Sequence, residues 1–80
     1  MKTIYLIKDL AQVTGLSTHT IKYYLKIGLI CEFARSPGTN FRYFDDTVVT
    51  RLRHIRSYRE QKKSLKEIKR LLETVPESRL

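Results

Sequence analysis

The sequence has one cysteine, Cys31, in 80 residues. A single thiol excludes an internal disulfide framework and is the content expected of a protein in a reducing compartment. No pattern of cysteine and histidine predicts a zinc site. The N-terminal segment is interrupted by Lys8 and Asp9 too early for a secretory signal, and no apolar run approaches membrane-spanning length. We therefore expect a cytoplasmic protein that has no membrane partner, metal or cofactor.

Groups for catalysis are also lacking. The sequence shows no carboxylate pair, no Cys/His/Asp set and no glycine-rich loop of the kind that cradles a phosphate. Its two histidines, His19 and His54, fall on different predicted helices and have no evident partners. We expect that the protein is not an enzyme.

Acidic residues are in the minority, because 16 Lys and Arg face 8 Asp and Glu, for a net charge of +8. The length allows one domain with a small core, and a composition of 41% hydrophobic and 30% charged residues is that of a folded globular protein. The excess of positive charge favours a polyanionic partner and salt-sensitive association. The alternative is a protein that is merely basic.

The first part of the chain predicts two short helices joined by a tight turn. Apolar residues at i, i+3 and i+4, beginning at Ile7, predict a first helix that Gly15 ends. Ser17 is the predicted N-cap of the second helix, and Gly28 is its predicted C′ residue. The pattern is therefore helix, turn, helix.

The second helix has one apolar and one polar face. Its predicted buried stripe is Ile21, Tyr24 and Leu25. The side chains expected to point outward are Thr18, His19, Lys22, Tyr23 and Lys26. A charged helix face usually has no role beyond its contact with solvent. This face carries residue types that read DNA bases, and its helix follows a short helix and a glycine turn. We interpret it as a recognition helix that meets phosphates and base edges.

A small hairpin, or wing, is predicted next. Two strand-like segments, residues 29–33 and 41–44, flank a loop that contains Ser, Pro and Gly. Its tip would carry Arg35 and its return strand Arg42, so that a basic ribbon could lie along a phosphate backbone. The alternative is a plain surface hairpin whose last aromatic residues, Tyr43 and Phe44, fill the core.

Two further helices are predicted to complete the core. The acidic pair at 45–46 can cap the third helix, and Ser64 with Glu67 forms a capping box for the fourth. The expected inward residues are Val48, Leu52, Ile55, Leu65, Ile68, Leu71 and Leu72. A proline ends the fourth helix, so we expect a domain over residues 1–75 and a short flexible tail over 76–80.

Several separated segments together resemble the N-terminal domain of the MerR family of transcription regulators. They are, in order, YLIKDLA at 5–11, TGLS at 14–17, TIKYY at 20–24, GLI at 28–30, FRYF at 41–44 and SLKEI at 64–68. The resemblance implies a mainly α, winged helix-turn-helix fold with four helices and a short two-stranded β wing. It also implies sequence-specific binding of double-stranded DNA, with the second helix in the major groove and the wing on the adjacent backbone.

The resemblance implies a set of DNA-binding residues, carried over position by position. They are Ser17, Thr18, His19, Lys22, Tyr23, Tyr24, Arg35, Phe41 and Arg42. Some positions depart from the family pattern, which usually has Arg at 22 and Tyr at 41, and Gly followed by an aromatic residue at 62 and 63. Lys22 supplies a point charge without the bidentate fork of Arg. Lys62 would be strained if the backbone there is left-handed.

The sequence leaves several functions open. The family likeness is compatible with a homodimer, on DNA or within a longer chain, and with RNA polymerase or a recombinase as a protein partner. Residues 76–80 carry no long helix or effector region, so the chain is either the DNA-binding part of a longer regulator or a short protein. An excisionase-like or architectural protein that bends DNA and assembles cooperatively is the alternative function, which the short length favours. A module that binds only protein is a third reading, which retention of duplex DNA would exclude.

Overall fold

The computed structural model describes residues 4–74, which form four helices and one two-stranded antiparallel sheet. In chain order the elements are α1 (Ile7–Thr14), α2 (Thr18–Lys26), β1 (Ala34–Arg35), β2 (Arg42–Tyr43), α3 (Asp46–Glu60) and α4 (Leu65–Thr74). The predicted mainly α, winged helix-turn-helix fold is confirmed. The predicted tail over 76–80 lies outside the described residues. Within residues 4–74, no helix combines the length and the apolar character that crossing a bilayer requires.

Backbone hydrogen bonds define both ends of helix α1. The Leu6 N–H donates to the carboxylate of Asp9 at 2.9 Å, so an acidic residue in the first turn serves a helix start that lacks a Ser or Thr cap. At the other end Gly15 has φ +78°, and its N–H donates to the Ala11 carbonyl at 2.9 Å. The predicted end of α1 is therefore confirmed, and glycine supplies the left-handed backbone.

Helix α2 has both predicted caps. The Ser17 hydroxyl accepts a hydrogen bond from the Thr20 N–H at 3.0 Å. Gly28 has φ +84°, and the Leu29 N–H returns to the Tyr24 carbonyl at 2.9 Å. This 6→1 bond is that of a Schellman motif, in which a left-handed C′ residue lets the chain leave the helix sharply.

The core receives side chains from all four helices and from the end of the wing. The fully buried residues are Leu10, Ile21, Leu29, Phe44, Leu52, Ile55 and Ile68. Helix α3 contributes two of these, in the predicted stripe, and Asp45 caps it by accepting from the Thr47 N–H at 3.1 Å. Burial of Phe44 confirms that the last aromatic residue of the hairpin fills the core.

The wing is a true hairpin, but its strands differ from the prediction. Ala34 pairs with Tyr43, and Arg35 pairs with Arg42. Arg35 is therefore a strand residue opposite Arg42, and its predicted place at the tip is wrong. The reason is that the start of the predicted first strand is buried after the end of α2, with Leu29 at 0% and Ile30 at 3% exposure. Strand pairing begins only beyond that buried segment.

The N-terminal segment pairs with the inner end of the wing, which the sequence analysis did not predict. The Tyr5 N–H donates to the Phe44 carbonyl at 2.8 Å, and the Phe44 N–H donates back to the Tyr5 carbonyl at 2.9 Å. The Tyr5 hydroxyl also donates to the Asp46 carboxylate at 2.8 Å. The base of the wing is thereby tied both to the chain start and to the first turn of α3.

The turn between α3 and α4 places a lysine in a backbone conformation that favours glycine. Lys62 has φ +68°, and the next residue, Lys63, donates its N–H to the Tyr58 carbonyl at 3.1 Å. The chain thus uses the same type of helix end as at Gly28, without a glycine. Ser64 then starts α4 by accepting from the Glu67 N–H at 3.1 Å, which confirms the Ser64 half of the predicted capping box.

Truncation of Leu52 tests the core. Leu52→Ala is expected to lower the free energy of unfolding by about 2 to 5 kcal/mol, because a fully buried side chain leaves a cavity. The measurement is urea denaturation followed by circular dichroism. His54→Ala, at an exposed position on the same helix, is the control and should lie within about 0.5 kcal/mol of the parent. Equal losses in the two variants would contradict the assignment.

Substitution of Lys62 tests the strain in the turn. Lys62→Gly is expected to raise the free energy of unfolding by up to about 1 kcal/mol, because glycine adopts a left-handed backbone without a Cβ clash. Lys62→Ala removes the same charge but keeps the Cβ, so it separates charge from conformation. If alanine stabilises the protein as much as glycine does, relief of backbone strain is not the cause.

Candidate nucleic-acid interface

The outward face of α2 is polar and accessible. Thr18, His19, Lys22 and Lys26 are exposed, and Tyr23 is 46% exposed. These are the side chains that the helical pattern predicted to point away from the core, and their exposure confirms that orientation. The face offers hydroxyl, imidazole, ammonium and phenol groups, which are chemistries that proteins use on base edges and phosphates.

Two surface grooves join α2 to the wing. The first is lined by residues that include Lys22, Lys26, Arg35 and Arg42. The second is lined by Lys8, Lys22, Phe41 and Arg42, together with Leu6, Ile7 and Asn40. Since Lys22 and Arg42 line both grooves, the fold brings the cations of the helix and of the wing to one surface, hereafter the helix–wing surface.

Other predicted site residues lie apart from the wing. His19, Tyr23 and the edge of Tyr24 line a third groove, together with Arg59 of α3 and Leu65 of α4. The structure therefore places His19 and Tyr23 beside the α3–α4 corner. The position of Arg59 next to α2 depends on tertiary packing, which the sequence pattern did not reveal.

Ser17 and Tyr24 have structural roles. The Ser17 hydroxyl accepts from the Thr20 N–H and donates to the Thr20 hydroxyl at 2.9 Å. The Tyr24 ring belongs to the core and is 6% exposed, as the buried stripe of α2 predicted. The contacts with DNA that the family resemblance implied for these two residues stay predictions.

The wing tip is a tight loop that presents Phe41 to solvent. The Ser36 N–H donates to the Phe41 carbonyl at 2.9 Å, and the Asn40 N–H donates to the Ser36 carbonyl at 2.9 Å. Gly38 and Asn40 take the left-handed backbone that closes the loop, with φ +92° and +62°. The Phe41 side chain is 56% exposed.

One acidic residue, Glu32, lies among these cations, and the sequence analysis missed it. Its carboxylate contacts the Arg35 Nε at 3.0 Å and the Arg42 Nε at 3.5 Å. A hydrogen bond from its own backbone N–H lowers the pKa of the Glu32 carboxyl, and Arg35 and Arg42 lower it further against the opposing effect of burial. Glu32 is the sole acidic residue between positions 10 and 44, and this isolated negative charge could have identified it from the sequence.

Two arginines of α3 hold the ends of the helix-turn-helix segment. The Arg56 Nη1 donates to the Thr14 carbonyl at 2.6 Å, at the end of α1. The Arg51 Nε donates to the Leu29 carbonyl at 2.6 Å, just past the end of α2. Both guanidinium groups therefore bind backbone oxygens, which the sequence pattern did not predict. A Cβ added at Gly15 would lie 2.8 Å from the Arg56 Nη1, so the glycine also makes room for this contact.

Among residues 4–74, no group of three or more His, Cys, Asp or Glu side chains is arranged to hold a metal ion. Cys31 is exposed and lines the first groove of the helix–wing surface. The charged side chains that line the two grooves are all cationic except Glu32.

The helix-turn-helix of α1 and α2, the β hairpin and the cationic surface between them define a winged helix-turn-helix protein. The sequence profile described as "MerR HTH family regulatory protein" matches residues 5–75. The chain belongs to this family. Its relatives below are named as transcriptional regulators, which are not enzymes.

Named relatives support this assignment. The chain is 38% identical to the HTH-type transcriptional regulator CueR of Bacillus subtilis over 69 residues, which are 86% of this chain and 47% of CueR. It is 38% identical to the regulator HmrR of Sinorhizobium medicae over 66 residues, which are 82% of this chain and 44% of HmrR. The chain thus spans about half the length of these relatives.

Solved structures agree with the sequence comparisons. A MerR family regulator from Bacillus cereus superposes with a TM-score of 0.84 at 25% identity, covering 91% of this chain and 54% of that one. HiNmlR, described as a MerR family regulator lacking the sensor domain and bound to promoter DNA, superposes with a TM-score of 0.79 at 30% identity. The match covers 89% of this chain and 53% of HiNmlR.

Substitution of Arg56 tests its role in holding α1. Arg56→Met is expected to lower the free energy of unfolding by about 1 to 3 kcal/mol, because the part-buried Thr14 carbonyl loses its charged donor. Arg53→Met is the matched control on the same helix, since the Arg53 Nη2 lies 3.4 Å from the Val13 carbonyl and its side chain is exposed. Thermal or urea unfolding compares the two. A similar decrease in the free energy of unfolding in both variants would contradict the special role of Arg56.

Proposed function

We propose that the chain binds double-stranded DNA sequence-specifically, as the DNA-binding domain of a MerR-type transcriptional regulator. Helix α2 would enter the major groove, and the wing would lie on the adjacent backbone. The observation that carries the proposal is the helix–wing surface, where Lys22 of α2 and Arg42 of the wing line the same two grooves. A helix of this kind can read base edges in a groove, and a basic β ribbon beside it can position the protein on the phosphate backbone.

The exposed residues divide into two groups by the contact that they could make. Thr18 and His19 lie in the first turn of α2 and would meet base edges if the helix N-terminus enters the groove. Lys22 sits between that turn and the wing and would reach a base or a phosphate. Arg35 and Arg42 would contact phosphates beside the wing, and Phe41 would add an apolar contact there.

The description of HiNmlR as bound to promoter DNA supports duplex DNA as the partner, because that protein superposes on 89% of this chain. The net charge of +8 adds a sequence-independent attraction to phosphates. A DNA-bound regulator would act in the cytoplasm and would need no catalytic group. Dimerisation belongs to the same proposal and has its own test below. Contact with RNA polymerase or a recombinase is a further part of the proposal.

Substitution of the two central cations tests the proposed interface. Lys22→Ala and Arg42→Ala are each expected to weaken duplex binding and to reduce the slope of log K against log salt by about one. Fluorescence anisotropy over a salt titration measures both quantities. Arg70→Ala removes a cation from the exposed side of α4 and is the matched control, which should leave the slope unchanged within error. Parent-like slopes for Lys22→Ala and Arg42→Ala would overturn the interface.

The mode of binding separates a regulator from an architectural protein. Bound duplexes are selected from a genomic pool while the mass of the complex is measured in parallel. One inverted repeat bound by two copies would support a dimeric regulator. Cooperative loading of adjacent head-to-tail sites would support the architectural alternative. Failure to retain any duplex would reject both.

A further inference from the structure

Glu32 is an anion inside a surface that is otherwise built to attract anions. Its side chain is 21% exposed, and it lines the first groove of the helix–wing surface with Lys22, Lys26, Arg35 and Arg42. Carboxylates are unfavourable beside DNA phosphates unless a local partner compensates them. The compensation here comes from the same two arginines that the proposed function assigns to phosphates.

The register of the wing explains why a carboxylate is present. Arg35 and Arg42 lie directly opposite each other on neighbouring strands, and like charges in that arrangement destabilise a strand pair. The two oxygens of Glu32 divide between them, with Oε2 3.0 Å from the Arg35 Nε and Oε1 3.5 Å from the Arg42 Nε. The pair of guanidinium groups and the carboxylate together carry one net positive charge.

Both contacts use the Nε atoms. The Arg35 and Arg42 side chains are 45% and 37% exposed, so each guanidinium group is still accessible to a second anion. The pKa of Glu32 is held below its ordinary value, so the carboxylate is ionised at neutral pH. A phosphate that approaches these arginines therefore meets a site that already holds one anion.

We propose that Glu32 is an internal competitor for DNA phosphates, which occupies Arg35 and Arg42 and limits the affinity of the wing for duplex DNA. The inference rests on the proposed function. Glu32 would then determine how much the contacts with DNA phosphates contribute to the binding affinity. The contacts of the base-facing residues of α2 would not change. Removal of the charge would leave both guanidinium groups without a competing anion.

The expected size of the effect follows from counterion release. Loss of one compensating negative charge adds about one phosphate contact, which steepens the slope of log K against log salt by about 0.9. At about 0.1 M monovalent salt this corresponds to an increase in affinity of about eightfold. If the substitution instead loosened the wing, phosphate contacts would be lost and the slope would become shallower, which is the opposite change.

The first experiment measures binding of a mixed-sequence duplex by the parent chain, Glu32→Gln and Glu73→Gln over a salt titration. Glu73→Gln makes the same change in net charge at an exposed position on α4 and controls for it. The inference expects a steeper slope and tighter binding for Glu32→Gln alone. A parent-like or shallower slope for Glu32→Gln overturns it, and so does an equal change in Glu73→Gln.

A double-mutant cycle with Arg35→Ala keeps the test independent of the stability of the wing. If Glu32 occupies Arg35, Arg35→Ala reduces the slope more in the Glu32→Gln background than in the parent. Equal reductions in the two backgrounds overturn the inference. Failure of the parent chain to bind any duplex instead rejects the proposed function, whereas parent binding that responds to Lys22→Ala but not to Glu32→Gln rejects only the role of Glu32.

Discussion

The placement of α2 depends on hydrogen bonds between α3 guanidinium groups and backbone carbonyls. Arg56 binds the Thr14 carbonyl at the end of α1, and Arg51 binds the Leu29 carbonyl beyond the end of α2, each at 2.6 Å. Helix ends leave carbonyl oxygens without helical partners, and a charged donor satisfies them strongly. These contacts lie just before and just after α2 in the chain and, together with the burial of Ile21 and Tyr24, keep the polar side of the helix turned outward.

The same fold therefore divides its positive charge between two tasks. Arg51 and Arg56 are committed to backbone oxygens, whereas Lys22 and Lys26 have exposed side chains on the outward face of α2. A count of cations in the sequence does not distinguish these groups. The distinction matters because a guanidinium group already bound to a backbone oxygen is less available to a phosphate than a free ammonium group is.

The helices were predictable because their signals are local. Ser17, Gly15 and Gly28 act within a turn or two of the chain, and each has the predicted role. The wing was predicted as a hairpin but with the wrong first strand, since the burial of Leu29 and Ile30 after α2 is a tertiary effect. The exposed face of α2 followed from helical geometry. The contacts of Glu32 with both arginines depend on strand register, which residue spacing alone did not reveal.

The pairing of Tyr5 with Phe44 fixes the root of the wing to the body of the domain. Phe44 is also fully buried, so the ribbon is anchored on its return strand just before α3. Conformational adaptation to a ligand is thereby restricted to the outer part of the hairpin, from the Arg35–Arg42 pair to the loop around Gly38. Any induced fit would therefore be a local change in the outer hairpin, and the base of the wing would keep its position on the domain.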